Sequence, residues 1–550
     1  MRALPDRPEP PRDYPGISLP AAVGFAVAAF AWWRFSDNTV DNDLWGHVLY
    51  GQRALALGRL EPTDPFSWTA GGAPWTNHEA WAELALGWVH RLAGGAGLWG
   101  LAVFTAAATL ALALWEARRR CPGPGGGLLL AALLAVSTNG IALGCSVRPQ
   151  LFTLLALVAL LGQLRPLADG RRWPWVTLPL LFLVWIKVHG GVLAGLLLLA
   201  VAAGVTLGQQ LWPGARRFFA AAPAGAGRRL AVALALSLGA VGLSPGGAGT
   251  LRWLVDSVRY TRPEITEWQA TPFDPAHLAF WAVAGLSLAA WLASRRERRA
   301  WEAAALALLL AMAWRHQRHV PLFCLANLVL TPPHLLDLLR RLRPHTASLA
   351  AAFRSAGVRT AATLLLLAGG GAALAASVQP PRQHPWTLEV ERDLFPCAAL
   401  RFLQEHPVAG NLLVFFDWGQ QALWALPLNP VSFDGRLDTV YSRALIDAHW
   451  RFFRGEPVDP AVLDLSRADV ALLPSGGGGE RLLRARGWTL IYADPLAAVL
   501  VRELRRHPSL ASLTRPVHAG REAVQGREPF PEAPSDRARV AERSAAPARP

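Results

Sequence analysis

Lysine and cysteine are nearly absent from this chain of 550 residues. Lysine occurs once, as Lys187, and none of the four cysteines forms a Cys-x-x-Cys pair. This pattern argues against a zinc site and against a disulfide framework. The chain also lacks the basic and aromatic patches that bind nucleic acid, although its formal net charge is +15. We therefore expect no nucleic-acid partner.

Apolar residues are abundant and clustered. They make up 52% of the sequence, and the mean hydropathy is +0.25. They form separate segments, and a membrane-spanning helix needs ~20 such residues. We predict a polytopic α-helical membrane protein with about 11 transmembrane helices, near residues 18–35, 97–116, 126–145, 149–164, 173–187, 190–208, 229–244, 276–294, 301–314, 320–336 and 359–378. Because the first segment lacks a small-residue cleavage site, we expect it to remain as a helix.

The arginines predict the orientation of these helices. Arginine clusters such as those at 118–120 and 295–299 alternate with loops that hold few basic residues. The positive-inside rule places the clusters in the cytoplasm, together with the N-terminal segment 1–17. An odd number of spans then puts everything after Val378 outside.

The predicted outer face carries most of the carboxylates and histidines of the membrane half. The first outer loop, residues 36–96, contains Asp41 and Asp43 beside the first span, and His47 shares a helical face with Asp43 if 43–57 is helical. Later in the loop come His78, Glu79 and Glu83. Paired carboxylates beside a bilayer can bind a divalent cation or act as a base. Alternatively, Asp41 and Asp43 cap a helix, and the glutamates only solvate one.

Basic residues also reach the outer face. They are Arg148, Lys187, Arg315, Arg318 and His319. The forked donors of arginine suit a phosphate group. The alternative is that these side chains extend to the membrane interface. Glu264 and Glu267, in the outer loop before Trp268, are expected to be solvated, and acceptor binding is the alternative.

The composition changes after Val378, where three prolines mark a linker. Residues 379–503 alternate strand and helix patterns, which predicts an extracytoplasmic α/β domain with a mainly parallel sheet. Asp417 and Trp418 follow a predicted strand at 411–416, and Val431–Phe433 is predicted as another strand. From about Leu504 to residue 550 the composition predicts a disordered tail.

The motifs resemble a known group of proteins. They read DNDLWGHVLYGQRAL, EPTDPFSWTAGGAPWTNHEAWAELAL, RPQLF, EWQ, RHQRHVPLF, FFDWGQQALW and FDGRLD, and they lie within residues 18–502. The pattern is similar to that of bacterial multi-span proteins related to the GT-C glycosyltransferases. That superfamily includes protein O-mannosyltransferases, aminoarabinose transferases and oligosaccharyltransferase catalytic subunits. The resemblance implies a GT-C-like membrane domain at 18–378 and a location in the bacterial cytoplasmic (inner) membrane.

The resemblance also implies an activity. GT-C enzymes transfer a sugar from a polyprenyl-phosphate carrier on the outer face, here to an envelope glycan, lipid or protein acceptor. Their first-loop acids act as a base or hold a metal such as Mg or Mn. The resemblance implies a catalytic role for Asp41, Asp43 and Glu79, with a metal at Asp41 and Asp43. It implies that the substrate or donor phosphate is bound by His47, His78, Arg148, Lys187, Arg315, Arg318 and His319. Similarity to the WWDYG motif of oligosaccharyltransferases implies acceptor binding by Asp417 and Trp418.

Two other functions are compatible with this reading. One is a transporter or flippase of lipid-linked sugars, which should carry charges near mid-bilayer or repeated halves. The sequence contains neither feature. The other is a non-catalytic relative that assembles the cell envelope, and nothing in the sequence excludes it.

Overall fold

The computed structural model describes residues 18–122, 124–212, 214, 218–342, 355–510 and 512–532. The predicted segment 1–17 and the end of the predicted tail, 533–550, lie outside the described residues. The membrane half is helical and contains α1 (Leu19–Phe35), α2 (Leu44–Leu57), α3 (Ala80–Arg120), α4 (Pro124–Ala142), α5 (Gln150–Ala168), α6 (Pro174–Trp185), α7 (Val192–Leu211), α8 (Ala226–Gly242), α9 (Gly247–Val258), α10 (Leu278–Ala293), α11 (Ala300–Arg315), α12 (Val320–Leu330), α13 (Pro332–Leu342) and α14 (Ala356–Ala376).

A helix lies at each predicted membrane segment, but their lengths differ. Among the described helices, α3, α4, α5, α7 and α14 are long and apolar enough to cross a membrane. A sixth span results if α12 and α13 are counted together, although they are bent by 61°. Pro332 opens α13, and proline has no backbone N–H with which to continue a helix. The structure therefore supports a multi-span helical protein, while eleven spans remain a prediction.

A break in α3 separates the first outer loop from the following span. Ala93 and Gly94 have non-helical backbone angles, and Gly94 has φ +55°. Residues with positive φ are usually glycine, because a Cβ atom is disfavoured there. The first arm of α3 can consequently pack on α2 while the second arm continues as an apolar helix.

The C-terminal half contains a five-stranded sheet in the order β2-β3-β5-β4-β6 and a separate β1-β7 pair. The elements are β1 (Glu389–Glu391), α15 (Cys397–Glu405), β2 (Leu412–Val414), α16 (Gly419–Ala425), α17 (Arg443–Arg454), β3 (Val470–Pro474), α18 (Gly478–Ala485), β4 (Thr489–Ala493), β5 (Ala497–Val501), β6 (Val517–His518) and β7 (Arg527–Pro529).

The prediction of a mainly parallel sheet is wrong. β2–β3 and β4–β6 are parallel, but β5 pairs antiparallel with both β3 and β4. Only three residues join β4 to β5, and a connection this short forces neighbouring strands to run antiparallel. Asp494 supports the turn by accepting the N–H groups of Leu496 and Ala497 at 2.8 and 2.7 Å. Val431 forms only isolated bridges instead of the predicted strand.

Residues 504–510 and 512–532, predicted as part of a disordered tail, contain secondary structure instead. β7 pairs antiparallel with β1. Phe530 is buried, and its ring lies 4.6 Å from that of Trp45 and 5.6 Å from that of Trp424. The segment therefore packs between the first outer loop and the C-terminal domain.

The first outer loop is built into the C-terminal domain. Ser67 bridges to Val431, and Trp68 Nε1 donates to the carbonyl of Leu412 at 3.1 Å. Thr39 bridges to Glu389. These contacts bring residues near the beginning of the chain against residues about three-quarters of the way along it.

Candidate functional site

Arg148 gathers three carboxylates. It lies in the turn between α4 and α5, just before Pro149. Its Nε atom is 3.3 Å from Asp41 Oδ1, its Nη2 atom contacts Asp43 Oδ2, and its Nη1 atom is 3.4 Å from Glu267 Oε2. The structure thus brings together the two predicted first-loop acids and one predicted phosphate-binding arginine.

The two aspartates also shape the start of α2. Asp41 Oδ1 accepts the backbone N–H of Asp43 at 3.0 Å, and Asp43 occupies the residue before the first helical turn. The prediction that these aspartates cap a helix therefore holds in part for Asp41. The Asp41 carboxylate also faces Arg148, so this turn holds the side chains of Asp41 and Asp43 next to the same guanidinium.

Glu267 was expected to be solvated and instead joins this cluster. Its second oxygen, Oε1, lies 3.4 Å from Arg318 Nη1. The guanidinium of Arg318 stacks 4.3 Å above the ring of Trp268, and that of Arg262 lies 4.4 Å from the same ring. Glu267 therefore links Arg148 to Arg318. We call Asp41, Asp43, Arg148, Glu267 and Arg318 the arginine–carboxylate cluster.

The pKa values of two acids in this cluster, Asp43 and Glu267, are shifted in opposite directions. Burial raises the pKa of Asp43 to about 6, with Arg148 acting against the shift and Asp41 adding to it. Burial would also raise the pKa of Glu267, but Arg148 and Arg318 outweigh it and the net shift is downward. Asp43 is consequently the more basic carboxylate of the two, as a general base requires.

The basic residues in the loop between α11 and α12 differ in exposure and in charge. Arg315 is exposed and forms no ion pair among the described residues. Burial and the charge of Arg318 lower the pKa of His319 to about 4, so it is uncharged at neutral pH. Of the three predicted phosphate ligands in this loop, only Arg318 is an ionised member of the cluster.

A second centre forms around Glu79 at the start of α3. Glu79 Oε1 is 3.6 Å from His78 Nε2 and 3.7 Å from His189 Nε2. Burial would raise the pKa of Glu79, but the charges of His78, His47, His189 and Arg148 outweigh it and bring the pKa to about 2. Glu79 therefore remains ionised at all physiological pH values.

Hydrogen bonds fix the tautomer of His189. Its Nδ1 atom accepts the backbone N–H of Gly191 at 3.0 Å and lies 2.9 Å from the hydroxyl of Thr153. That hydroxyl accepts from Trp185 Nε1 at 2.8 Å, which leaves its own proton for His189. Neutral His189 must then carry its proton on Nε2, the atom that faces Glu79. Burial lowers the pKa of His189 to about 3, which agrees with a neutral ring.

His47 and Glu83 complete the second centre. His47 Nδ1 is 3.2 Å from Glu83 Oε1, and Asn77 Nδ2 donates to Glu83 Oε2 at 2.6 Å. Burial lowers the pKa of His47, but the hydrogen bond with Glu83 and the nearby acids more than offset this, so the net shift is upward. α2 is helical, as the pairing of residues 43 and 47 required.

The second centre has the better geometry for a metal ion. The ligand atoms of His47, Glu79 and Glu83 lie within 4.8 Å of one another. In contrast, Asp41 and Asp43 are both paired with Arg148, so a dication there would have to displace the guanidinium. One imidazole and two carboxylates suit Mn²⁺ better than Mg²⁺, which prefers oxygen ligands.

The C-terminal domain closes the arginine–carboxylate cluster from the other side. Gln420 Oε1 accepts the N–H of Gly46 at 3.2 Å. A Cβ atom placed on Gly435 would lie 2.5 Å from Asp43 Oδ1 and 2.6 Å from Gln420 Nε2. An alanine at position 435 would therefore displace the side chains of Asp43 and Gln420.

The predicted acceptor-binding pair divides into two environments. Asp417 hydrogen-bonds with Asn42; burial raises its pKa, and the Asn42 bond partly offsets the shift. Trp418 is buried and donates from Nε1 to the carbonyl of Leu394 at 3.1 Å. Asp417 is thus next to the cluster, whereas the Trp418 indole belongs to the domain core.

Arg436 connects the first loop to the same domain. Its Nη1 atom is 2.6 Å from Asp64 Oδ1, and its Nε and Nη2 atoms are 2.9 and 2.7 Å from the two oxygens of Asp434. All three side chains are buried. Arg436 therefore neutralises one aspartate of its own motif and one aspartate that lies 372 positions away in the sequence.

Lys187 lies apart from both centres. It is 6% exposed and has no ion pair with any described residue. Its backbone carbonyl accepts the N–H of Trp81, so the segment after α6 is nevertheless anchored beside the start of α3.

Three residues in or beside the cluster were not predicted to lie there, although each lies inside one of the sequence motifs. Glu267 belongs to EWQ, Gln420 to FFDWGQQALW and Gly435 to FDGRLD. The usable signal was the co-occurrence of these motifs in one chain. No spacing rule links Glu267 to the other two residues, because it lies more than 150 positions before them.

Comparison with known proteins supports the fold. No protein-family model matches the chain, and no curated protein sequence matches it either. Among solved structures, the archaeal oligosaccharyltransferase AglB from Archaeoglobus fulgidus, in complex with an inhibitory peptide and a dolichol-phosphate, aligns with a TM-score of 0.52 and 13% identity over 83% of this chain and 69% of that one. ArnT from Cupriavidus metallidurans, bound to undecaprenyl phosphate, aligns with a TM-score of 0.50 and 13% identity over 90% of this chain and 98% of that one. The chain therefore has the fold of these two transferases, which agrees with the GT-C resemblance of its motifs.

Proposed function

We propose that this protein is a membrane glycosyltransferase that moves a sugar from a polyprenyl-phosphate carrier to an envelope glycan, lipid or protein acceptor. The observation that carries the proposal is the arginine–carboxylate cluster. It combines a basic carboxylate and two guanidinium groups beneath a C-terminal domain, in a protein with the fold of lipid-dependent transferases. We further propose that the cluster faces the outside of the bacterial inner membrane, as the arginine distribution predicts.

The donor phosphate is assigned to Arg318 and Arg148. Each arginine is held in place by Glu267, and Arg318 is also stacked on Trp268. A guanidinium that is fixed before the substrate arrives can offer its donors to a phosphate without losing side-chain freedom. The two solved relatives named above contain dolichol-phosphate and undecaprenyl phosphate, respectively. As the bond from sugar to phosphate breaks, both arginines would stabilise the negative charge that develops on the leaving oxygen.

Asp43 is assigned as the general base. With a pKa of about 6 it is ionised at neutral pH, yet it is basic enough to accept a proton from the attacking acceptor group. Asp41 holds the backbone of Asp43 through its own carboxylate. Asp417, next to Asn42, is assigned to the acceptor side.

A divalent metal fits the second centre. His47, Glu79 and Glu83 would hold it, and the ion would supply positive charge beside the cluster. His78 and His189 would orient Glu79 from the other side. In this arrangement Asp41 and Asp43 keep their ion pairs with Arg148 and do not bind the metal, so Asp43 can serve as the proton acceptor.

The test uses the native host. Asp41→Asn combined with Asp43→Asn should abolish the envelope glycan that disappears in the deletion strain, while the membrane level of the protein is unchanged. Glycans and lipid-linked precursors are measured by mass spectrometry. The matched control combines Asp256→Asn with Asp393→Asn, which removes the same charge from two exposed positions.

Each outcome separates one hypothesis from the others. Loss of the glycan with accumulation of the lipid-linked donor on the outer face supports transfer. Accumulation on the inner face supports a flippase instead. A deletion phenotype without any glycan change would leave only the assembly role.

A further inference from the structure

Lys187 is a buried cation without a counterion. It is the only lysine in the chain, and its side chain is enclosed where α6 gives way to α7. No carboxylate of the described residues forms an ion pair with it. Placing a charge in a protein interior without a partner is unfavourable, so such a group is expected to meet an anion.

The Lys187 ammonium is aimed at the first turn of α9. A Cβ atom on Gly246, the residue that precedes α9, would lie 3.7 Å from Lys187 Nζ and 3.0 Å from Thr250 Oγ1. Gly246 has φ +87°, and no side chain caps the helix. The free N–H groups at a helix start attract anions, and small residues allow close approach. Residues 246–249 read Gly-Gly-Ala-Gly.

A second buried polar group lies beside this turn. Ser244, two residues before Gly246, is 5% exposed, and its Oγ atom has no hydrogen-bond partner among the described residues. An unused hydroxyl in a buried position is uncommon in native proteins. It is available to donate to a bound oxygen.

We propose that the start of α9, Lys187 and Ser244 form a phosphate-binding site, separate from the arginine–carboxylate cluster. The ammonium supplies the charge, and the helix start supplies backbone donors. The ligand is a phosphate group, either free in solution or on a lipid. His78 lies between the two regions, because its ring stacks 4.5 Å from that of Trp253 on α9. The proposal does not depend on glycosyl transfer, since it requires only a phosphate.

Binding is tested with the full chain in nanodiscs of phosphatidylcholine. Three probes are used in separate arms: inorganic phosphate, undecaprenyl monophosphate in the disc, and phosphatidylglycerol in the disc. Bound phosphate is counted by native mass spectrometry in an Arg318→Gln background, which removes one of the two proposed donor-phosphate ligands. We expect Lys187→Gln to weaken binding about 10- to 100-fold, as expected for loss of a charged hydrogen bond. Lys187→Arg should retain most of it.

The matched control is Arg252→Gln, which removes one positive charge from an exposed position on α9 and should leave binding unchanged. Thermal unfolding provides a second readout. Without phosphate, Lys187→Gln should unfold at a higher temperature than the parent, because it removes an unpaired buried charge; with phosphate, this order should reverse. The responding arm identifies the phosphate source. Absence of binding in all three arms, or equal binding by the parent and Lys187→Gln, overturns the proposal.

Discussion

Replacing Arg436 tests how the first outer loop is joined to the C-terminal domain. Asp64 and Asp434 are 2% and 0% exposed, and Arg436 is the cation that neutralises both. Arg436→Met keeps much of the side-chain volume but leaves two buried carboxylates without compensation. Removing one member of a buried ion pair costs about 3–5 kcal/mol. We expect a loss of that size in the free energy of unfolding.

The assay is equilibrium unfolding of the purified protein in detergent, followed by tryptophan fluorescence and by protease sensitivity of the C-terminal half. Arg443→Met is the matched control, since Arg443 pairs with Asp447 at the surface, where such a pair contributes only about 0.3–0.5 kcal/mol. Adding Asp64→Asn and Asp434→Asn to Arg436→Met should restore part of the stability. A loss no larger than that of the control, or no recovery in the triple variant, would refute the reasoning.

Four further outcomes follow from the cluster and the second centre. Because burial raises the pKa of Asp43 to about 6, the initial rate of sugar transfer should fall as the pH drops below that value, and Asp43→Asn should remove this limb of the pH profile. Because the pKa of Glu79 is lowered to about 2, its contribution to stability is present above its ordinary pKa and is lost as the pH falls through 2, so Glu79→Gln and the parent should differ in unfolding temperature at pH 7 and converge in strong acid. Mn²⁺ should raise the unfolding temperature of the parent but not that of His47→Ala. Gly435→Ala, which would place a methyl group 2.5 Å from Asp43 Oδ1, should abolish transfer without unfolding, whereas Gly285→Ala, with no atom within 4 Å, should be silent.

The sequence predicts best what local periodicity or charge distribution determines. A helix lies at each predicted apolar segment, but only five of the described helices are long and apolar enough to span a membrane. The four-residue spacing of Asp43 and His47 predicted one helical face, and α2 provides it. The arginine distribution predicted Arg148 and the loop aspartates on one face of the membrane, and Arg148 contacts both Asp41 and Asp43.

Contacts between distant segments were not predictable in the same way. Glu267 lies in a loop without periodicity, so nothing local indicates that two arginines flank it. The approach of Gly435 to Asp43 depends on the fold of a domain whose sheet is mixed, contrary to the prediction. The pairing of β7 with β1 was missed because composition describes how polar a segment is, whereas pairing depends on an open strand edge elsewhere in the chain.

The contact between Asp64 and Arg436 also sets the earliest time during synthesis at which the protein can finish folding. The two residues are 372 positions apart, and a ribosome adding about 5–20 residues per second needs roughly 20–75 seconds to cover that distance. During that interval Asp64 lacks its cation, and Trp45 lacks Phe530, whose ring packs against it. The junction between the first outer loop and the C-terminal domain therefore forms late in synthesis. Until then the loop carries an unneutralised aspartate and an uncovered tryptophan, both of which are buried in the folded protein.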